Sequence, residues 1–334
     1  MRKTTISDVA KECGVSVKTV SRVINSSPNV KQETRDKVEK AIAETGYQVN
    51  LLAKGLKGNR TNIVVVFADR NKEEPLTAWH DVMLKYLFAY AQEKKLKIMF
   101  SLSNSEQFET DETDGFYLIA NGLADGAILL ENINNDSRIA YFERMKIPYV
   151  LFGEANVDTL PSVSMDNFDA GYSGGKYLLG KGYHDIVFLI GEKKFRSTQL
   201  RIEGFEQAVK HKDCKYEICT EVNTVEKAYK KACEILDRKK VSAFFASGDE
   251  RALGVYRAIY EKSLQIPEDV SVLGIDNIPN GKFYYPPIST VAQDFETMSH
   301  KCIDYLIEQI EVGFDNTKKH KIAYPAKIIE RSST

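Results

Sequence analysis

The chain has 334 residues, enough for more than one domain, and it holds no run of about 18 apolar residues that would span a membrane. Its net charge of −1 conceals a basic N-terminal part: residues 1–60 carry 12 Lys and Arg against 6 Asp and Glu, and the remainder carries 34 against 41. This asymmetry predicts an anionic partner for the N-terminal part alone, with an ordinary solvated basic face as the alternative.

Residues 1–46 predict a helix-turn-helix domain. Thr5 and Asp8 form a capping-box pattern for a first helix that Gly14 ends, and Ser16 is a suitable N-cap for a second helix. Apolar residues face inward at helical spacing in the second helix and in a third: Val20, Val23, Ile24, Val38, Ala41 and Ile42. The second helix is short because such a helix lies in the major groove of DNA and presents its N-terminal residues to base edges.

Residues 5–56 resemble, without a gap, the DNA-binding head of the LacI/GalR family of bacterial transcriptional regulators. The run Val-Ser-x-x-Thr-Val-Ser-Arg-Val-x-Asn at residues 15–25 is highly specific to that family. The resemblance implies that three side chains read bases: Val17, Lys18 and Arg22. It implies that another set mainly holds phosphates: Thr5, Ser16, Thr19, Ser21, Asn25 and Asn29. Phosphate contacts set the register on DNA, whereas base contacts specify the sequence.

Residues 47–61 are predicted as a hinge helix and linker. Alone, the segment is a short amphipathic stretch that is marginal as an isolated helix, and a plain linker is the alternative. The resemblance implies a hinge that folds on DNA and wedges a leucine between base pairs. The implied contacts are Asn50, Ala53, Leu56 and Lys57. Val49 replaces the proline usual in the family, so a rigid helix-start residue is missing.

From residue 62 onward, strands and helices alternate. Strands are predicted at IVVVFA, KIMFSL, GAILL, PYVLF, DIVFLIG, AFFASG and SVLGID. The alternation predicts two doubly wound α/β lobes, about 62–160 with 291–320 and about 161–290 with 321–334, and a ligand cleft between them. This effector-binding and dimerisation core resembles the periplasmic-binding-protein-like core of the same family. The expected fold is therefore an all-α helix-turn-helix head plus an α/β core.

Two core motifs fit ligand-holding motifs of the family. Residues 201–205, Arg-Ile-Glu-Gly-Phe, match a motif whose arginine holds sugar hydroxyls, and residues 274–277, Gly-Ile-Asp-Asn, match one whose aspartate accepts hydrogen bonds. The candidate effector-binding residues from these matched positions are Ser197, Arg201, Gly248 and Asp276. Asp69, at the end of the first strand, and Trp79, as a stacking face, are further candidates. A donor and an acceptor across a cleft suit a sugar or sugar derivative, with a structural salt bridge between Arg201 and Asp276 as the alternative.

Departures from the family pattern leave the effector's identity open. Gly248 stands where sugar-responsive members have an asparagine, and Gly153 stands where several members place an acidic sugar contact. Trp79, the only tryptophan, fits a ligand-stacking face, a core position or an interface position equally well.

The expected function is a homodimeric, cytoplasmic, sequence-specific transcriptional regulator, most simply a repressor, that binds a palindromic operator and a small-molecule effector. A sugar-binding transport protein is one alternative, which the basic head and the lack of a predicted signal peptide oppose. An α/β enzyme is the other, but no GxGxxG after a strand, GxxxxGK[ST] or GxSxG occurs. Five scattered cysteines without metal spacing favour free thiols, so no cofactor or metal is expected.

Overall fold

The structure is a computed structural model that describes residues 4–24, 27–47, 60–69, 76–130, 133, 135–210 and 212–334. The chain divides into two compact units, Met1–Thr61 and Asn62–Thr334. Most of the predicted hinge, residues 48–59, lies outside the described residues. Within the described part of the chain, none of the helices has both the length and the apolar character needed to cross a lipid bilayer.

Three helices form the first unit: α1 (Ile6–Glu12), α2 (Val17–Ile24) and α3 (Gln32–Thr45). Thr5 caps α1 as predicted, because its hydroxyl accepts a hydrogen bond from the Asp8 N–H at 3.4 Å while the Asp8 carboxylate accepts one from the Thr5 N–H at 2.8 Å. Gly14 and Gly46 follow α1 and α3 with φ values of +66° and +61°, a region that glycine adopts without strain.

A small apolar core joins the three helices. The fully or nearly buried residues are Val9, Ala10, Val20, Val23, Val38 and Ala41. Ile24 and Ile42 are partly buried against them. The predicted inward-facing positions are therefore confirmed. A unit of this size buries little apolar surface, so each buried residue contributes a large share of its stability.

Two six-stranded sheets form the second unit. The first contains, in spatial order, β11 (Lys321–Tyr324), β5 (Ser162–Met165), β4 (Tyr149–Phe152), β3 (Gly126–Leu130), β1 (Ile63–Asp69) and β2 (Lys97–Ser103). The second contains β12 (Lys327–Ile329), β10 (Ser289–Ala292), β9 (Ser271–Asp276), β8 (Ala243–Ala246), β6 (Asp185–Leu189) and β7 (Lys215–Cys219). The described pairs are parallel except β10 with β12, which is the arrangement expected of two doubly wound lobes.

Helices cover both sheets. Those described are α4 (Ala78–Glu93), α5 (Phe116–Ala120), α6 (Ser137–Met145), α7 (Asn167–Gly180), α8 (Arg196–Val209), α9 (Val225–Arg238), α10 (Asp249–Glu261), α11 (Phe295–Val312) and a 3₁₀ helix, Pro279–Phe283. Helix α5 is short, and the residues that precede it do not extend it. The Asp111 carboxylate instead accepts the Thr113 N–H at 2.9 Å, which holds a turn before α5. The sequence also missed β7, an edge strand with exposed Lys215 and Tyr216 and no continuous apolar run.

The chain passes between the lobes at points that differ from the predicted boundaries. Ser162 of β5 pairs with Leu151 of β4 and with Lys321 of β11, so both β5 and β11 belong to the first sheet. The prediction placed both in the second lobe. The boundary at residue 291 is also wrong, because β10 pairs throughout with β9 in the second sheet. An apolar strand pattern does not specify which sheet a strand joins, whereas the backbone hydrogen bonds do.

Helices α7 and α8 cross at backbone contact. A Cβ atom on Gly204 would lie 2.0 Å from the Phe168 carbonyl oxygen, and one on Gly171 would lie 2.0 Å from the Arg201 carbonyl oxygen. Both separations are far below van der Waals contact, so only glycine permits this crossing. The crossing brings Arg201 beside Asn167 at the N-terminus of α7, and it explains the glycine in the Arg-x-x-Gly motif.

Candidate functional site

A cavity of about 180 Å³ lies between the two lobes of the second unit, at the carboxyl ends of strands from both sheets. Ligands of doubly wound folds bind at this edge. The six residues predicted to bind an effector all line the cavity: Asp69, Trp79, Ser197, Arg201, Gly248 and Asp276. Their placement in one cavity agrees with the prediction, and their role in binding stays a prediction.

Arg201 reaches into the cavity from α8. Its Nε donates to the Asn167 Oδ1 at 2.9 Å, and its Nη1 donates to the Ser247 hydroxyl at 2.9 Å. Two anchors on different elements hold the planar guanidinium in one orientation. An arginine fixed in this way is suited to directional hydrogen bonds with oxygen atoms of a ligand.

Asp276 lies at the end of β9 and accepts a hydrogen bond from the Gln293 side-chain amide at 2.6 Å. Its φ of +110° is in a region that non-glycine residues rarely adopt. Such strain is retained mainly where the surrounding structure enforces it, and it concentrates at functional sites. The backbone geometry therefore supports Asp276 as a residue of the site.

Asp249 lies behind the cavity and serves the fold. Its side chain is fully buried and accepts hydrogen bonds from the Thr290 hydroxyl at 2.7 Å and the Ile278 N–H at 2.9 Å. Burial, followed by the nearby Asp276 charge, raises the pKa of Asp249 well above its usual range. A Cβ atom on Gly274 would lie 2.0 Å from the Asp249 Oδ1, so the motif glycine makes room for this carboxyl group.

Trp79 forms part of the apolar wall contributed by the first lobe. Its indole ring packs edge-on against Phe152 at 6.0 Å and against Phe295 at 6.4 Å between ring centroids. The ring is only partly buried and lines the cavity. Trp79 thus combines two of the predicted alternatives, since it packs on the core and also offers an aromatic surface to the cavity.

Several polar residues of the cavity were missed by sequence reasoning: Glu154, Ser164, Asn167, Ser247 and Arg251. Ser164 is buried, and among the described residues its hydroxyl has no hydrogen-bond partner. Because Ser164 also lines the cavity, a bound ligand can supply the hydrogen bond that its hydroxyl lacks. Several family members have an acidic residue at the position of Gly153, and in this chain the acidic residue is the next one, Glu154. This neighbouring glutamate is the feature of the sequence from which Glu154 could have been predicted as a cavity residue.

A hydrogen bond between Ala78 and Glu250 joins the two lobes at the edge of the cavity. The Glu250 carboxylate, in the first turn of α10, accepts a hydrogen bond from the Ala78 N–H at 2.9 Å. Ala78 is the first residue of α4 in the other lobe, where the helix dipole favours a negative charge. The contact stabilises the lobe arrangement seen in the structure.

In the first unit, the predicted base-reading residues are exposed on α2. Val17 and Lys18 lie in its first turn and Arg22 in its last, whereas Val20 and Val23 are buried. Ser16 caps the helix, because its hydroxyl accepts the Thr19 N–H at 3.1 Å. The remaining described candidates for phosphate contact reach the surface fully or in part: Thr5, Ser16, Thr19, Ser21 and Asn29. The candidates Asn25, Asn50, Ala53, Leu56 and Lys57 lie outside the described residues.

Comparisons with known proteins assign both units. Residues 5–50 match the lacI family of bacterial regulatory proteins, and residues 176–334 match a periplasmic binding protein-like domain. The chain is 31% identical over 337 residues to the HTH-type transcriptional repressor PurR of Histophilus somni (strain 2336), covering 98% of each sequence. It is 28% identical over 344 residues to the HTH-type transcriptional regulator DegA of Bacillus subtilis (strain 168), covering 99% of this chain and 98% of DegA.

Solved structures share the fold. A lac repressor dimer bound to operator and the anti-inducer ONPF superposes with a TM-score of 0.85 at 24% identity, covering 99% of both chains. A complex of the regulator CelR with cellobiose gives a TM-score of 0.73 at 24% identity, covering 99% of this chain and 100% of CelR. Together with the helix-turn-helix unit and the two-lobed core, these matches confirm the resemblance: the chain belongs to the lacI family of bacterial regulatory proteins and is a DNA-binding transcriptional regulator.

Proposed function

We propose that the protein is a transcriptional repressor that acts in the cytoplasm, binds a palindromic operator as a homodimer, and responds to a sugar or sugar derivative bound between the lobes. The main support is the exposure of three side chains on α2. Val20 and Val23 hold the helix on the head core, while Val17 and Lys18 are exposed in its first turn and Arg22 is exposed in its last. An exposed valine beside two cations has no packing role here and suits a groove of DNA.

The side chains on and around α2 are suited to different kinds of contact with DNA. Val17 offers only an apolar contact, for which the thymine methyl group is the natural partner in the major groove. Lys18 and Arg22 donate hydrogen bonds and suit the O6 and N7 acceptors of guanine. Hydroxyl and amide side chains around them, including Ser16 and Asn29, suit phosphate oxygens and set the register.

A selection from a random DNA library with the full-length protein tests the operator-binding proposal. We expect enrichment of an inverted repeat, because a symmetric dimer presents two copies of α2. Affinity for the selected site, measured by gel shift, should fall by about 10³–10⁵ between about 50 and 200 mM salt if six to ten phosphates are contacted. Enrichment of sequences without inverted symmetry, or no binding at low salt, would contradict the proposal.

The cavity supports a polyhydroxylated effector. Trp79 and Phe152 supply an apolar wall from the first lobe, whereas Arg201 and Asp276 supply a donor and an acceptor from the second. A sugar ring has an apolar face and hydroxyl groups around its edge, so it complements both surfaces. A thermal-shift screen of neutral sugars, sugar phosphates and nucleobases identifies the class, because a ligand of the folded state raises the melting temperature.

Effector binding can alter operator affinity through the arrangement of the lobes. A ligand between them contacts both lobes, and the Glu250–Ala78 hydrogen bond already stabilises one arrangement. If the two lobe arrangements differ in operator affinity, ligand and operator are coupled, and each changes the affinity for the other by the same factor. A coupling of about 1–3 kcal/mol would suffice for a 5–150-fold response.

An apolar surface on the second lobe supports the homodimer. Four large apolar side chains are exposed on α10 and on the segment that packs beside it: Leu253, Tyr260, Phe283 and Tyr285. Tyr285 is 97% exposed, although its neighbour Tyr284 is anchored to α10 by a hydrogen bond to the Asp249 carbonyl oxygen at 3.1 Å. Exposed aromatic clusters are typical of protein interfaces, and a second copy of this chain satisfies the twofold symmetry that a palindromic operator requires.

Replacing Tyr285 by aspartate should weaken the dimer by at least about tenfold, since buried interface tyrosines are often binding hot spots worth about 2 kcal/mol or more. Sedimentation velocity over a concentration series measures the change. Val157→Asp is the matched control, because Val157 is also exposed but lies in the first lobe away from this surface. Equal dimer dissociation constants for Tyr285→Asp and the unaltered protein would contradict the assigned interface.

A further inference from the structure

A buried ion pair lies in the wall of the cavity. The side chain of Glu154 is only 2% exposed and that of Lys321 is 24% exposed, and the Lys321 ammonium donates to the Glu154 Oε1. Glu154 follows β4, and Lys321 begins β11, so both belong to the first sheet. A buried carboxylate is costly unless it is paired and hydrogen-bonded, and Lys321 supplies the paired charge for Glu154.

The second carboxylate oxygen of Glu154 is connected to Arg201 through the side-chain amide of Asn167. Its Oε2 accepts a hydrogen bond from the Asn167 Nδ2 at 2.9 Å, and the same amide nitrogen donates to the Met165 carbonyl oxygen at 3.1 Å. The Asn167 Oδ1 therefore points the other way, where it accepts the Arg201 Nε–H at 2.9 Å. Arg201 in turn donates to the Ser247 hydroxyl.

The direction of these bonds is determined by the chemistry of the groups. A lysine ammonium and an arginine guanidinium only donate hydrogen bonds, and an ionised carboxylate only accepts them. Between Glu154 and Arg201, the Asn167 amide fits in one orientation, with its nitrogen toward the carboxylate. A donor at position 154 would oppose either the Lys321 ammonium or the Asn167 amide nitrogen.

We infer that Glu154, held by Lys321, is a positioning residue that orients the Arg201 guanidinium in the cavity through the Asn167 amide. The inference rests on the proposed role of Arg201 in effector binding. Glu154 belongs to the first lobe and Arg201 to the second, so the orientation of Arg201 depends on the arrangement of the lobes. Lobe movement that separates Glu154 from Asn167 would release Arg201, which couples the shape of the cleft to its readiness for a ligand.

Glu154→Gln tests the inference in the full-length protein without any ligand. A neutral amide at this position must turn its nitrogen toward Lys321 or toward Asn167, and either orientation places two donors together. Nitrogen-15 NMR of the Arg201 Nε–H reports its exchange with water. We expect the exchange rate to rise at least about tenfold, as expected for loss of a hydrogen bond to a charged network.

Two further variants separate positioning from general destabilisation. Lys321→Met in the Glu154→Gln background removes the opposing donor and should restore slow exchange of the Arg201 Nε–H, even though Lys321→Met alone accelerates it. Glu143→Gln is the matched control, because Glu143 pairs with Lys319 at 2.8 Å in the same lobe but does not line the cavity. If Glu154→Gln does not fold, the single Lys321→Met variant provides the test.

Unchanged exchange at Arg201 in Glu154→Gln, or an equal acceleration in Glu143→Gln, would overturn the inference. Failure of the proposed effector class is recognised separately. If no neutral sugar or sugar phosphate in the thermal-shift screen stabilises the unaltered protein, the sugar proposal is wrong, whereas the exchange result at Arg201, measured without ligand, still decides the role of Glu154.

Discussion

Replacing Arg201 by methionine is expected to reduce effector affinity by at least about 100-fold, because hydrogen bonds to a charged group contribute roughly 1.5–3 kcal/mol each. Methionine keeps much of the aliphatic length, so the packing of α8 against α7 is retained. The variant loses the donors that the cavity offers to a ligand and the links to Asn167 and Ser247. Operator binding by the head should persist, since Arg201 belongs to the second unit.

The measurement uses the fluorescence of Trp79, the only tryptophan of the chain, which lines the same cavity. Titration with the ligand found by thermal-shift screening gives the dissociation constant for each variant. Arg238→Met is the matched control, because Arg238 is exposed at the end of α9, pairs with Glu217 and does not line the cavity. An unchanged dissociation constant in Arg201→Met would contradict the assigned cleft.

The head could be predicted almost completely from sequence because its determinants are local. The capping box joins Thr5 to Asp8, and the inward-facing positions of α2 and α3 repeat every three or four residues. Gly14 and Gly46 mark the helix ends directly, since their left-handed backbone favours glycine. Interactions within one helical turn leave a pattern in the sequence that needs no knowledge of the distant chain.

The cleft could be predicted in part, for a different reason. Asp69 ends β1 in the first sheet and Asp276 ends β9 in the second, and ligands of doubly wound folds bind beyond the carboxyl ends of the strands. No comparable rule predicts the hydrogen-bond network that connects Glu154 to Arg201. Lys321 and Glu154 are 167 residues apart in the chain, and their contact depends on β11 joining the first sheet, which the sequence pattern did not specify.

The roles of the two motif glycines, Gly204 and Gly274, also could not be predicted from the sequence. The Arg-x-x-Gly and Gly-x-Asp patterns were interpreted through their charged residues, Arg201 and Asp276. The structure shows that Gly204 allows α8 to touch α7 and that Gly274 leaves room for Asp249. Each glycine therefore places the charged residue of its motif, and the reason lies in a partner that is distant in sequence.

Val20→Asn and Val17→Asn are expected to separate the packing role of α2 from its proposed role in contacting DNA. Val20 is fully buried, whereas Val17 is 39% exposed, although the two valines lie three residues apart on one helix. Burying an unpartnered amide in place of Val20 should cost about 2–5 kcal/mol, which is comparable with the whole stability of a unit of about 60 residues. The head should then unfold and lose both specific and non-specific DNA binding.

Val17→Asn should leave the head folded, because the side chain makes no contribution to the head core. Its loss of an apolar contact with DNA should lower affinity for the selected operator by about 1–3 kcal/mol and leave the salt-dependent, non-specific binding intact. Proton–nitrogen correlation spectra report the folding of the head, and gel shifts on selected and random fragments report the two kinds of binding. Because both substitutions introduce the same side chain, a difference between them reflects the burial of Val20 and the exposure of Val17. Equal losses in both variants would show that α2 acts only through the stability of the head, and unchanged operator preference in Val17→Asn would remove Val17 from the base-reading set.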